Sequence, residues 1–102
     1  MTRVLVLYNQ PADPAAFDRY YFAAHVPLAK TMPGLRSYIV NAAPASVIVG
    51  DKPPHLIAEL EFDTHADVLK ALESEEGKAT ASDLANFAQA GVTILSFDMK
   101  SL

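Results

Sequence analysis

Cysteine is absent from the 102 residues. A disulfide framework, a thiolate nucleophile, a zinc ribbon and a cysteine-ligated iron–sulfur cluster are therefore excluded. Glycine is scarce, with only four and none clustered, so no phosphate-cradling loop is present. Cations are few: eight Lys and Arg stand against twelve Asp and Glu, a net charge of −4 with no basic stripe. That balance argues against a nucleic-acid groove. The unbroken apolar runs are a few residues long, far short of a membrane span. The N-terminus, Met1 to Tyr8, reads as a strand rather than a signal peptide. What is present is apolar: 51% hydrophobic against 20% charged residues, a composition that argues against disorder. The expectation is one cytoplasmic domain over residues 1–102, large enough for a single core.

Residues 3–9 form an aliphatic, β-branched run that Pro11 follows, a strand signal. Asp13 and Pro14 then mark a helix start, with Phe17, Tyr21, Ala24 and Leu28 as its buried stripe. Met32-Pro33-Gly34-Leu35 is a turn leading into a strand from Leu35 to about Asn41. Val47-Ile48-Val49 suggests a short edge strand. Residues 56–62 alternate Leu56, Ala58, Leu60 and Phe62 against Ile57, Glu59 and Glu61. Thr64 with Asp67 resembles a capping box; the helix falters near Ser74–Gly77, and a second stretch covers roughly 78–90. Gly91 closes it, and Val92 to Met99 is the last strand. The order is β-α-β-β-α-β, an α+β, ferredoxin-like arrangement. Its helices cover one sheet face, yet the first and last strands carry aliphatics on both parities: Val4 and Val6 against Leu5 and Leu7, Val92 and Ile94 against Leu95 and Phe97. A second copy of the chain is the economical cover, and such a homodimer would enclose an apolar cavity.

The sharpest local feature is Phe17 to Leu28. Phe17, Tyr21 and His25 recur every four residues and share one helix face. Pro27 removes a helix hydrogen bond, crowds the Ala23 carbonyl and should push Val26 out of the α region. His25 should thus stand at a kink, where helix carbonyls favour the imidazolium and burial favours the neutral ring. That position suits proton transfer; the alternative is a core histidine bonded to a backbone carbonyl. Tyr20, Tyr21, Phe22 and Tyr38 read as core aromatics, although a hydroxyl facing an apolar cavity can donate to a substrate oxygen. Glu59 and Glu61 either face a ligand or pair with Arg3 or Arg36. His25, His55 and His65 lack ligand spacing, so no metal site is expected.

Tyr8-x-x-Pro11, Phe17-x-x-x-Tyr21-x-x-x-His25-x-Pro27-Leu28, Met32-Pro33-Gly34-Leu35-x-x-Tyr38 and the block Asp83-Leu84-Ala85-Asn86-Phe87 ahead of Gly91 resemble the EthD family over essentially the whole chain. The resemblance implies a dimeric α/β barrel with a cavity between helices and sheet in each subunit. It also implies chemistry without metal or organic cofactor, since similar proteins include lactone isomerases and polyketide cyclases, dehydratases and decarboxylases. By resemblance to the lactone isomerases, His25 and Tyr38 are the candidate catalytic residues. Tyr21, Arg36 and Glu59 complete the set as candidate substrate-binding residues. The expected ligand is a small apolar or aromatic metabolite, and the expected reaction is isomerisation, dehydration or decarboxylation of a cyclic or aromatic carbonyl compound. Two alternatives stand beside it: a non-catalytic binding or oxygenase-accessory dimer, and a cofactor-free monooxygenase. Many sibling monooxygenases rely on a tryptophan, and this chain has none.

Overall fold

The computed structural model describes residues 1–102. Four strands, β1 (Thr2–Tyr8), β2 (Ser37–Val40), β3 (Leu56–Phe62) and β4 (Val92–Asp98), pair antiparallel in the order β2-β3-β1-β4. Both crossovers are helical and lie on one face, which makes the fold α+β and ferredoxin-like. The register places Val4 opposite Leu60 and Val6 opposite Ala58 on the helix-covered face. Leu5 opposite Glu59 and Leu95, and Arg3 opposite Glu61 and Phe97, look out from the other face. Strand parity therefore decides which side chains can reach the interior.

The first crossover is one continuous coil with a change of pitch. Asp13 caps α1 (Pro14–Tyr20) by accepting from the Ala16 N–H at 3.1 Å, and Pro14 sits in its first turn. A π-turn follows at Tyr21–His25, then α2 (Val26–Ala29). The break expected at Pro27 is absent: Val26 keeps helical angles, φ −59° and ψ −49°. The physical reason is the wider turn. The Val26 N–H skips one carbonyl and bonds to Tyr21, and the opened coil accommodates a proline ring that an α-helix would drive against the Ala23 carbonyl.

The second crossover bends at one residue instead of fading over four. Ser74 ends α3 (His65–Glu73) and caps α4 (Glu75–Phe87), its hydroxyl accepting from the Gly77 N–H at 3.0 Å. α4 thus starts earlier than the expected 78 and stops at Phe87 rather than 90. Gly77 lets the two helices touch: a Cβ there would lie 1.8 Å from the Ala71 carbonyl oxygen. The Thr64 cap on Asp67 and the turn at Gly34, φ 80°, form as the sequence indicates. Val47-Ile48-Val49 forms no strand. Ile48 and Val49 are 94% and 93% exposed, because the segment is flanked by Pro44, Pro53 and Pro54, which supply no ladder donors. Thirteen buried apolar side chains make one core between helices and sheet, with Tyr8, Phe17, Tyr21 and Phe87 packed edge to face at 5.3–5.8 Å.

Candidate functional site

Between the helices and the sheet lies a cavity of about 90 Å³, most of its wall apolar. β1 supplies Val4 and Val6, β3 supplies Ala58 and Leu60, and α2–α4 and the loop after α2 close the top. Five side chains with polar atoms interrupt this wall: His25, Tyr8, Tyr21, Tyr38 and Thr80. Two larger clefts, of about 410 Å³ beside His55 and about 610 Å³ beside Tyr20, lack the His25 imidazole. The smaller cavity holds the convergent polar groups that a binding site needs.

His25 is buried, 4% exposed, at the end of the π-turn. Tyr21 and His25 are the first and last residues of that turn, and side chains four apart lie on one face of a helical coil. Tyr21 and His25 accordingly stack, with ring centroids 5.5 Å apart and planes 30° from parallel. The His25 Nδ1 lies 2.9 Å from Asp83 Oδ2, a carboxylate brought in by α4. Asp83 also accepts the Tyr20 hydroxyl at 2.5 Å and the Asn86 amide at 2.9 Å. Burial pushes the Asp83 carboxyl upward, but these donors and His25 outweigh it and hold the group below its usual value. An ionised Asp83 accepts only, so Nδ1 carries the imidazole proton and Nε2 the lone pair. Nε2 has no partner in the protein, and Arg3 Nε is the one sealed side-chain nitrogen or oxygen left unbonded. His25 therefore keeps Nε2 accessible. Burial lowers its pKa, and Asp83 offsets only part of that, so the ring is neutral at pH 7.

Tyr38 reaches the same cavity because its parity on β2, opposite Leu60, faces the helices. Its hydroxyl lies 2.5 Å from that of Tyr21. Burial raises both phenols. Either hydroxyl can donate in the bond they share, and with Tyr21 as donor the Tyr38 proton is free. The arrangement offers a base, Nε2, and a neutral O–H donor at one apolar space.

The other two expected ligand contacts are not brought here. Glu59 faces the opposite side of the sheet, where Arg3 bridges it at 3.0 Å and Glu61 at 2.5 Å, so ion pairing accounts for both acids. Arg36, exposed after the Gly34 turn, is held by Asp63 at 2.8 Å. The physical cause is parity for the glutamate and a position ahead of β2 for the arginine. Asp83 is the residue that the sequence reasoning missed. Its signal was an acid four residues before Phe87, on the same face of α4 as that core aromatic. No group of three His, Asp or Glu side chains is arranged to hold a metal ion, and no helix is long and apolar enough to cross a membrane.

Fold and site together define a ferredoxin-like α+β protein with a buried His–Asp pair at an apolar cavity. More particularly, the chain belongs to the EthD family, whose domain profile matches residues 9–91. It is 40% identical, over its whole length and 98% of the relative's, to an uncharacterized 11.0 kDa protein of the thcB–thcC intergenic region of Rhodococcus erythropolis. An EthD-family protein of Bacillus halodurans superposes with a TM-score of 0.88 at 34% identity, over 98% of this chain and 99% of that one. More distant likenesses extend the fold alone. One is a dimeric ferredoxin-like protein of Thermobifida fusca, with a TM-score of 0.70 at 13% identity over 96% and 90% of the two chains. Another is SnoaB, a cofactor-independent oxygenase of Streptomyces nogalater, with a TM-score of 0.64 at 18% identity over 99% and 93%.

Proposed function

We propose that this protein is a cofactor-independent enzyme that moves a proton on a small cyclic or aromatic carbonyl compound, in an isomerisation, dehydration or decarboxylation. One observation carries the reading: an imidazole bonded to Asp83 through Nδ1, with Nε2 unbonded, lines the same cavity as Tyr38. Nε2 takes a proton from the position next to the carbonyl. The imidazolium so formed lies against the Asp83 carboxylate, which stabilises it without accepting the proton. Negative charge collects on the carbonyl oxygen, where the Tyr38 hydroxyl donates a hydrogen bond backed by Tyr21. The proton then returns to a different carbon in an isomerisation, or goes to the leaving hydroxyl, released as water, in a dehydration. In a decarboxylation carbon dioxide leaves first, its C–C bond pair forms the enolate, and that carbon takes a solvent proton relayed by His25.

The test follows solvent deuterium into cyclic and aromatic carbonyl compounds by NMR. His25→Ala should lower the exchange rate by roughly 10²–10⁴-fold. Tyr38→Phe should lower it less, because the hydroxyl is lost and the packing kept. If His25→Ala keeps the rate and only lowers the melting temperature, the protein is a binding module. SnoaB's description as a cofactor-independent oxygenase supports a second reading in which the same deprotonation prepares a substrate for dioxygen. Oxygen consumption separates the two.

The active unit in this proposal is a homodimer forming an α/β barrel through the open sheet faces. Leu95 and Phe97 are 47% and 44% exposed there beside Leu5 and Leu7, an apolar face that a second copy would cover. The dimeric T. fusca protein supports it. Light scattering should give about 22 kDa, twice the 11.0 kDa chain mass.

A further inference from the structure

We infer that the cavity selects a neutral molecule, an uncharged carbonyl head on an apolar body, and rejects carboxylates and phosphates of the same shape. This narrows the proposed reactions to isomerisation and dehydration, since decarboxylation starts from a carboxylate. The inference rests on the acid–base reading for the position of the head group, and on charge placement for the selection. No lysine or arginine lines the cavity. Arg3 is on the far face of the sheet and engaged by two glutamates, and Arg36 is engaged by Asp63. Lys30, Lys70 and Lys78 are exposed on the surface. The one full charge bonded to a cavity-lining group is negative, Asp83 behind His25.

An anion entering this space loses its water and finds no cation, and it meets the field of a buried carboxylate across one imidazole ring. A neutral carbonyl loses far less water and recovers a hydrogen bond from Tyr38. Proton transfer then creates the imidazolium and the oxyanion together, so charge in the closed site stays balanced at each stage. The mouth repeats the preference. Leu72 and Ile94, each 52% exposed, stand at the cavity's edge, and the nearby α3–α4 junction carries Glu73, Glu75 and Glu76. About 90 Å³ is below the ~300–1,000 Å³ of ordinary ligand pockets, so the head group enters and an apolar remainder lies along Leu72 and Ile94.

Acetophenone and benzoate test this directly, being near-isosteric and differing in charge. Each is titrated into the full-length protein while methyl NMR signals of Leu60, Leu84 and Ile94 are followed at pH 7. Acetophenone should shift these methyls and bind at least about tenfold more tightly than benzoate. Leu72→Arg, a change at an exposed mouth position, should strengthen benzoate relative to acetophenone and so narrow the ratio between them. Benzoate binding as tightly as acetophenone in the wild type overturns the inference, and so does the absence of cavity shifts with either compound. The same titration in His25→Ala keeps the two readings apart. If the charge preference survives there while deuterium exchange is unaffected by the substitution, selection stands and the catalytic role falls.

Discussion

Two histidine–aspartate pairs occur in this molecule, nearly identical in length and opposite in setting. His25 and Asp83 meet at 2.9 Å with side chains 5% and 10% exposed; His55 and Asp18 meet at 2.8 Å with side chains 17% and 47% exposed. The first pair is joined through Nδ1, and its carboxylate is held by Tyr20 and Asn86 as well. The second is joined through Nε2, its Asp18 faces solvent, and Phe17 packs edge-on to the ring at 5.1 Å. Water competes for Asp18 and screens it, so that pair contributes little beyond local order. Asp83 has no such competition, and its charge acts on one imidazole. Distance between two groups is thus a poor guide to their chemistry; what surrounds them decides it.

Matched substitutions break this comparison most directly. Asp83→Asn should lower the exchange rate by roughly ten- to a hundredfold, by analogy with carboxylates that orient metal-bound histidines. Asp18→Asn should leave it unchanged, with a stability cost within about 1 kcal/mol. Equal effects at the two sites would remove the distinction. Rate measurements on both variants, with their thermal melts, decide it.

A change that touches neither pair sharpens it further. Pro27→Ala restores a backbone donor and lets the coil return to α pitch, which rotates His25 relative to Tyr21 and Asp83. Turnover should fall roughly tenfold, a part of the ~10²-fold that a misplacement of 1 Å can cost. The His25 ring signals should titrate at a different pH, while the melting temperature holds or rises. An unchanged His25 titration would mean that the π-turn does not position the ring.

The smallest expected effect is on stability against pH. His25 and Asp83 both have folded-state pKa values below their unfolded ones. Their contribution is present above the unfolded values, near 6.5 for histidine and 3.8 for aspartate, and is lost as pH falls through the folded ones. Tyr8, Tyr21 and Tyr38 are raised by burial, so their contribution is present below pH 10 and is lost on going higher. Denaturant melts from pH 4 to 11 should show a plateau with losses at both ends. His25→Gln should flatten the loss just below pH 6.5.

Most of the architecture was legible in the chain. Strand periodicity in 56–62, the Asp13 and Thr64 caps and the Pro33-Gly34 turn are local signals, and each formed where its residues stand. Burial of one face per strand is also local, so the two apolar parities of β1 could be read directly. Tyr21, His25 and Tyr38 were identifiable from spacing and family resemblance. The pitch of the coil at Tyr21–His25 was not, because Pro27 permits either a break or a wider turn, and packing of the coil against the sheet and α4 chooses between them. Nor was the position of Glu59, whose side of the sheet depends on which face the helices cover. Asp83 stands 58 residues from His25, and no periodicity within one element can join them. Local rules determine elements and faces because they act over a few bonds. The pairing that makes a histidine a base was decided by the docking of two crossovers on one sheet, which alone removes the water between them.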